Sequence, residues 1–181
     1  VDLPPVWLLG SSGASARFAG SLGVGYSFAK HFSEAPAAPP LAAYREAFRP
    51  SASFPEPHAI LAVSVVCAPT DDEAEFLAGS LDLAWLRFRR NQFGPVPTPE
   101  EAAAYDFDTA ERAFVAENRR KHIVGSPEVV VARLAEVQRE TGADELMITT
   151  MVHAPDMRRR SFELVARRWS ALRSTEQPVL R

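Results

Sequence analysis

A strand-turn-helix-strand pattern between residues 4 and 32 restricts the fold more than any other stretch. The apolar run at residues 6–9 predicts a short buried strand, and residues 14–22 predict a helix that Gly23 ends. A second strand is predicted at residues 26–29. The face of this helix expected to pack on the sheet comprises Ala16, Phe18, Ala19 and Leu22. Because so short a strand-helix-strand unit demands parallel pairing, the stretch predicts a right-handed βαβ unit.

The turn between the first strand and the helix, Gly-Ser-Ser-Gly-Ala-Ser, has the composition of an anion-binding site. It contains Gly10 and the hydroxyls of Ser11, Ser12 and Ser15. The first backbone N–H groups of a helix lack partners within the helix, and the helix dipole favours an anion beside them. A serine before a helix is also an ordinary N-cap, so the residues leave two interpretations open, a phosphate site and a plain cap.

Three residues follow the second predicted strand at the edge of a parallel sheet where ligands bind, Lys30, His31 and Phe32. His31 is better placed for function than the other histidines, although its position alone is explained more simply by a surface loop histidine. Further along, residues 59–68 form a near-continuous β-branched run that predicts a strand covered on both faces. Cys67 at its end is expected to be a small buried residue, not a reactive thiol.

The rest of the chain alternates helices with one more buried strand. Helices are predicted at residues 41–48, 70–90, 126–142 and 157–172, and the strand at residues 146–152. Thr70 with Glu73, and Ser126 with Pro127, are expected to begin two of these helices. Residues 91–124 are interpreted as the least regular part, an excursion over one end of the sheet that contains a turn and a capped helix start at residues 94–101. Residues 173–181 are interpreted as a flexible polar tail.

This alternation predicts an α/β fold with four parallel strands. Four βα units are half of a (β/α)₈ barrel, which typically takes about 250 residues. A doubly wound open sheet is the competing architecture, and 181 residues could serve either. The first residue is Val1 and not methionine, which suggests a segment of a larger protein.

Composition excludes several classes of function. A net charge of −3 gives no basic field for nucleic acid. One cysteine rules out an internal disulfide and favours a reducing, cytoplasmic setting. No apolar run approaches the roughly 20 residues of a membrane helix, so no membrane partner is expected. Metal binding is not expected either, because no two of the four histidines have close ligand spacing, as would His at i and i+4.

Three stretches together resemble the bacterial luciferase-like family of flavin-dependent monooxygenases. They are VWLLGSSGASARFAGSLGVGYSFAKHF at residues 6–32, VVCAPTDDEAEFLAGS at 65–80, and IVGSPEVVVARLAEVQRETGADELMITT at 123–150 with the helix that follows. The family adopts a TIM barrel of roughly twice this length. The resemblance therefore implies that residues 1–172 are its C-terminal half, with barrel strands five to eight.

The resemblance also implies roles for the residues noted above. The turn with Gly10, Ser11, Ser12 and Ser15 matches the family's FMN phosphate site. The group Ala29, Lys30 and His31 matches residues beside the isoalloxazine ring. The family takes further ligands and catalytic side chains from its first four strands, so no catalytic residue is assigned in this chain.

Two functions are compatible with these observations. The first is an FMN-dependent monooxygenase or oxidoreductase that uses reduced flavin and O₂ on a small organic substrate, with a deazaflavin-dependent reductase as a variant. A flavin reductase and a homodimer or other homo-oligomer are its expected partners. The second is a non-catalytic flavin-binding or structural relative, or an inert fragment.

Overall fold

The computed structural model describes residues 4–176. In chain order its elements are β1 (Trp7–Gly10), α1 (Gly13–Leu22), β2 (Gly25–Ala29), a 3₁₀ helix (Lys30–Phe32), α2 (Ala38–Ala47), β3 (Ala59–Cys67), α3 (Asp71–Arg89), α4 (Pro99–Ala103), α5 (Thr109–Arg119), β4 (His122–Gly125), α6 (Pro127–Thr141), β5 (Glu145–Thr149) and α7 (Pro155–Glu176). The strands form a sheet in the order β1-β2-β3-β4, with β5 also paired to β3. The sheet therefore has a fifth strand, β4, beyond the four that were predicted.

The chain divides into two compact units. The first contains the described residues up to Ser64 together with Leu134–Thr149. Its strands β1, β2, β3 and β5 pair in parallel, with Gly10 opposite Phe28, Ala29 opposite Ala62, and Ser64 opposite Thr149. The parallel βαβ unit predicted at the start of the chain is confirmed, and its helix begins one residue earlier than expected.

The core of the first unit lies between the sheet and helices α1 and α2. Tyr44 on α2 is fully buried, and its ring lies 5.5 Å from that of Tyr26 on β2. The Tyr44 hydroxyl lies 3.0 Å from the Val24 carbonyl oxygen, and it accepts a hydrogen bond of 3.1 Å from the His58 amide. These bonds satisfy the buried phenol and tie α2 to the starts of β2 and β3.

Only two of the four residues predicted to pack α1 on the sheet are buried. Ala16 and Ala19 are buried as expected, but Phe18 is 57% exposed and Leu22 is also exposed. The helix packs on α2 through Gly20, where an added Cβ would lie 2.5 Å from the Tyr44 carbonyl oxygen. Because backbones this close exclude large side chains, the small residues of α1 form the contact and its large apolar residues do not.

The prediction that β1 and the last strand are buried is wrong. Leu9 on β1 is 67% exposed and Met147 on β5 is 50% exposed, whereas every residue of β3 is buried. Apolar character shows that a side chain prefers burial, but burial requires an element packed on that face. Within the described residues, every residue is buried in β2 and β3 but not in the other strands.

The second unit contains Val65–Arg133 together with the described residues from Thr150 onward. Val66, Leu77 and Val152 contribute to one core cluster, and Leu83 and Leu86 to another. Thr70 caps α3, since its hydroxyl accepts a hydrogen bond from the Glu73 amide, as predicted.

The interpretation of residues 91–124 as the least regular part of the chain missed α5 and β4, whereas the capped helix start predicted within it is confirmed as α4, with Thr98 as the N-cap. The segment contains α4, α5 and β4. A capping box between Asp108 and Glu111 begins α5, and Phe114 packs against the cluster around Leu83. The sequence carries the Asp-x-x-Glu signal of this helix start at residues 108–111.

A buried ion pair joins α3 to α5 in the second unit. Arg119 donates from Nε to Asp82 Oδ1 at 2.6 Å and from Nη2 to Oδ2 at 2.8 Å, and Nη1 also reaches Glu75 at 3.0 Å. The Asp82 carboxylate is largely removed from water. This two-point geometry fixes the direction of the guanidinium plane as well as its position.

Helix α7 runs from Pro155 to Glu176, so it begins two residues earlier and ends four residues later than predicted. Residues 173–176, expected in the flexible tail, are helical. The remainder of that predicted tail, 177–181, lies outside the described residues.

The thiol of Cys67 at the end of β3 is buried, with 1% of the residue exposed. Burial, aided by the negative charge of Glu128, raises the pKa of this thiol to about 11. Because the thiolate is the reactive form, we expect iodoacetamide at pH 8 to leave Cys67 unmodified in the native protein and to alkylate it after denaturation, as measured by mass spectrometry. Rapid alkylation of the native protein would contradict this structure around β3.

Candidate functional site

The Gly/Ser turn joins the C-terminal end of β1 to the first turn of α1. Ser12 is the N-cap of α1, and its hydroxyl accepts a long hydrogen bond of 3.4 Å from the Ser15 amide. The Ser15 hydroxyl donates to the Ser12 carbonyl oxygen at 2.9 Å. Ser11 and Ser12 are exposed, and Ser15 is half-buried. The plain N-cap interpretation is therefore correct for Ser12, but it uses only part of what the turn offers.

The start of α1 retains the donors that an anion needs. Within residues 4–176, the backbone N–H groups of Gly13 and Ala14 have no hydrogen-bond acceptor. Arg17 adds a positive charge, since its Nη1 lies 3.5 Å from the place that a Cβ on Gly13 would occupy. Two N–H groups, exposed hydroxyls and one guanidinium together suit a phosphate monoester.

Tyr26 supports the turn from the adjacent strand. Its ring is fully buried, and its hydroxyl lies 3.1 Å from the Ser15 hydroxyl and 3.2 Å from the Ser12 carbonyl oxygen. Burial raises the pKa of the Tyr26 phenol, so it stays a neutral hydrogen-bonding group. These contacts fix the turn without using the backbone N–H groups of Gly13 and Ala14.

Gly10 allows this close approach of helix and strand. A Cβ on Gly10 would lie 2.6 Å from the Ser15 Cβ and would overlap its hydroxyl. Any other residue at this position would push Ser15 away from β1. The glycine therefore shapes the turn and leaves the donors of the helix start accessible.

The second predicted group lies at the end of β2. Ala29 is buried as the last residue of the strand, and Lys30 and His31 belong to the 3₁₀ helix that follows. His31 Nδ1 lies 3.2 Å from the Ala62 carbonyl oxygen on β3, and its ring lies 4.2 Å from that of the exposed Phe32. His31 is half-buried, and the Nδ1 edge of its ring is held by the sheet.

Ser33 connects the two groups. It is buried, and its hydroxyl donates to the carbonyl oxygen of Ser11 at 3.4 Å. Because β1 and β2 are parallel neighbours, their C-terminal ends also lie at the same edge of the sheet. The structure thus brings together all seven residues that were predicted for a cofactor site, Gly10, Ser11, Ser12, Ser15, Ala29, Lys30 and His31.

Three residues of this region were not identified from the sequence, namely Arg17, Tyr26 and Ser33. Arg17 has a recognisable signal, because it lies four residues after Gly13 on the same helix face. Tyr26 and Ser33 reach the turn across the fold, and no local pattern indicates such contacts.

Among residues 4–176, no three His, Cys, Asp or Glu side chains lie where they could share a metal ion. No helix in the same range is both long and apolar enough to cross a membrane.

Comparison with known proteins identifies the family. The model of the luciferase-like monooxygenase family matches residues 1–145. The chain belongs to the luciferase-like monooxygenase family. The resemblance seen in the sequence is therefore confirmed, and the parallel strands with their Gly/Ser turn are those of a luciferase-like protein.

Two curated relatives illustrate the similarity. The uncharacterised protein YvbT of Bacillus subtilis (strain 168) is 40% identical over 165 residues, which are 91% of this chain and 49% of YvbT. A luciferase-like monooxygenase of Escherichia coli (strain K12) is 35% identical over 160 residues, 88% of this chain and 48% of the relative. The chain thus spans about half the length of the curated relatives it matches.

Solved structures agree with the family and the fold. The apo form of MsnO8 has a TM-score of 0.80 and 30% identity, covering 92% of this chain and 51% of MsnO8. Two further structures show the fold alone. One is the oxygenating constituent of 3,6-diketocamphane monooxygenase of Pseudomonas putida with FMN, which has 22% identity and a TM-score of 0.53 and covers 93% of this chain and 48% of the other. The second is an F420-dependent secondary alcohol dehydrogenase, which has 11% identity and a TM-score of 0.57 and covers 93% of this chain and 49% of the other.

The predicted fold class is confirmed by these comparisons. It is an α/β fold with a parallel sheet that corresponds to about half of a luciferase-like barrel. The comparisons favour this barrel over the doubly wound open sheet. The division into residues 1–172 and a tail stays a prediction.

Proposed function

We propose that this chain forms one side of an FMN site in a luciferase-like oxidoreductase, most simply a monooxygenase acting on a small organic substrate. The observation that carries the proposal is the start of α1, where two backbone N–H groups without acceptors, the exposed Ser11 and Ser12 and the guanidinium of Arg17 lie within one turn of the helix. Family membership and the FMN-bound neighbour support the same choice of ligand.

In this proposal the turn holds the phosphate. The N–H groups of Gly13 and Ala14 donate to phosphate oxygens, the Ser12 hydroxyl adds a donor, and Arg17 neutralises charge. Tyr26 keeps the Ser15 hydroxyl and the Ser12 carbonyl in place, so that the donors need no rearrangement when the ligand binds. Binding energy from this distant group serves to orient the reacting ring.

At the other end of the site, Ala29, Lys30 and His31 are proposed to lie beside the ring. Ala29 gives the ring a surface without bulk, and His31 gives it a polar edge held by β3. The bound flavin supplies the redox chemistry, and the protein supplies position and exclusion of water.

Several finer points are part of the proposal. FMN is preferred because the turn suits a terminal phosphate, with a deazaflavin as the alternative cofactor that the F420-dependent neighbour illustrates. O₂ is the proposed co-substrate, and a flavin reductase is the proposed source of reduced cofactor. A cytoplasmic location and a homo-oligomeric state are also proposed.

The test compares Ser12→Asp with Ser12→Asn by flavin fluorescence titration, on the natural polypeptide that carries this sequence. Both side chains cap a helix, but only aspartate places a negative charge beside the phosphate. We expect FMN to bind at least about tenfold more weakly to Ser12→Asp, because hydrogen bonds to charged groups contribute about 1.5–3 kcal/mol and about 1.4 kcal/mol is a factor of ten.

Riboflavin, which lacks the phosphate, is the matched ligand control. Its affinity should be nearly the same for the wild-type protein, Ser12→Asp and Ser12→Asn. Equal FMN affinities for all three proteins would show that the turn does not bind phosphate.

A further inference from the structure

The imidazole of His31 is held in one orientation by the sheet. Ala62 lies opposite Ala29, the last residue of β2, whereas β3 continues to Cys67. The pairing of β2 with β3 therefore stops at Ala62, and His31 Nδ1 lies 3.2 Å from the Ala62 carbonyl oxygen. The Phe32 ring, 4.2 Å away, restricts the imidazole further.

This contact decides which ring nitrogen carries the proton. A carbonyl oxygen can only accept a hydrogen bond, so Nδ1 must be the N–H donor of the neutral ring. Nε2 then carries a lone pair. Within residues 4–176, Nε2 has no hydrogen-bond partner. The half-buried ring thus presents an acceptor of defined direction at the same edge of the sheet as the Gly/Ser turn.

The two ends of the candidate site therefore have opposite hydrogen-bonding character. The turn offers donors, from Gly13, Ala14, Ser12 and Arg17, which suit a phosphate. His31 offers an acceptor, which suits an N–H group. FMN has the complementary distribution, with an anionic phosphate at one end and an imide N–H on the isoalloxazine ring at the other.

We propose that Nε2 of His31 accepts a hydrogen bond from an N–H group of the bound flavin ring and thereby orients the ring. The proposal rests on the proposed function, because it assumes that a flavin occupies this edge of the sheet. It goes further by assigning one atom, one tautomer and one direction of hydrogen bonding to a residue previously placed only near the ring.

Two substitutions separate this role from simple support of the sheet. In His31→Asn, the amide N–H can still donate to the Ala62 carbonyl in place of Nδ1, but the Nε2 acceptor is lost. In His31→Gln, the longer side chain can return an oxygen acceptor near the position of Nε2. Thermal unfolding of both variants should stay close to that of the wild-type protein.

The experiment is a fluorescence titration of the natural polypeptide that carries this sequence with riboflavin, FMN and a riboflavin methylated at the imide nitrogen. We expect His31→Asn to bind riboflavin and FMN more weakly by the same factor, about three- to tenfold for one neutral hydrogen bond. His31→Gln should recover part of this loss. The wild-type protein should bind the methylated flavin more weakly than riboflavin, and His31→Asn should not distinguish the two.

The outcomes separate this inference from the proposed function. Loss of FMN affinity in Ser12→Asp with unchanged riboflavin affinity in His31→Asn would support the phosphate site and overturn the role of His31. If His31→Asn weakens riboflavin binding while Ser12→Asp leaves FMN affinity unchanged, the role of His31 would be supported and the phosphate site overturned. Failure of the wild-type protein to bind any of these flavins would overturn both.

Nitrogen-15 NMR of the labelled histidines gives a readout that needs no variant. The His31 resonances should show a protonated Nδ1 and an unprotonated Nε2, and riboflavin should shift the Nε2 signal. An unshifted Nε2 signal at saturating riboflavin would contradict the hydrogen bond, even if a His31 variant failed to fold.

Discussion

Replacing Asp82 by alanine should lower the free energy of unfolding by about 3–5 kcal/mol, the usual cost of removing one partner of a buried ion pair. Arg119 would keep its bond to the exposed Glu75 but would lose both bonds to Asp82. The guanidinium would then remain in a partly dehydrated position between α3 and α5. Denaturant-induced unfolding measured by circular dichroism checks the value.

The matched control is Glu163→Ala on α7. Glu163 forms an exposed i,i+4 pair with Arg167 at 3.9 Å, and pairs of this kind contribute about 0.3–0.5 kcal/mol. A similar loss of stability in both variants would mean that burial of the Asp82–Arg119 pair is not what makes it important.

The double substitution Asp82→Leu with Arg119→Met should lower the free energy of unfolding much less than Asp82→Ala does. Burial raises the pKa of Asp82, and the hydrogen bonds and charge of Arg119 only partly oppose this. Since the folded state holds the Asp82 proton more tightly than the unfolded chain, ionisation of Asp82 lowers stability as the pH rises through the unfolded and then the folded pKa. The single variant is therefore costly chiefly because it leaves the other charge unpaired, and replacing both removes that cost.

Replacing Gly23 by alanine should cost about 2–5 kcal/mol. Gly23 ends α1 with φ of +65°, and the left-handed conformation costs other residues about 1–2 kcal/mol. A Cβ there would also lie 3.0 Å from the Ser51 Cβ and would overlap the Arg49 carbonyl oxygen. Overpacking of this kind adds about 1–3 kcal/mol.

Gly142→Ala separates the cost of the left-handed backbone conformation from the cost of the steric overlap. Gly142 follows α6 with φ of +62°, almost the same backbone conformation, but the nearest atom to an added Cβ is Arg45 Nη1 at 4.0 Å. This variant should lose only the conformational part, about 1–2 kcal/mol. Equal losses at the two glycines, measured by denaturant unfolding, would show that the contact with residues 49–51 relaxes without cost.

The sequence predicted features that depend on neighbouring residues. The turn from Gly10 to Ser15, the helix stop at Gly23 and the cap at Thr70 all follow from which backbone groups lack partners locally, and all are present. The strand β3 was recognisable because nine apolar or small residues in succession suit only a strand covered on both faces. The missed helix α5 had its local signal at Asp108 and Glu111.

The candidate site required more than local information. Tyr26 lies 11 residues from Ser15 in sequence, Ser33 lies 22 from Ser11, and Ala62 lies 31 from His31. These hydrogen bonds exist because parallel pairing places the C-terminal ends of β1 and β2 beside each other and beside the middle of β3. A pattern of residue types along the chain does not specify which side chains will meet there.

For this protein the sequence alone determined the βαβ unit at its start, the Gly/Ser turn, the strand β3 and the family. Only the tertiary structure decided that Ser15 is held by Tyr26, that His31 is bound through Nδ1, and that Leu9 and Met147 stay exposed. The physical reason is the range of the forces. Caps, turns and periodicity act within a few residues, whereas burial and a histidine tautomer depend on whatever the fold brings against each side chain.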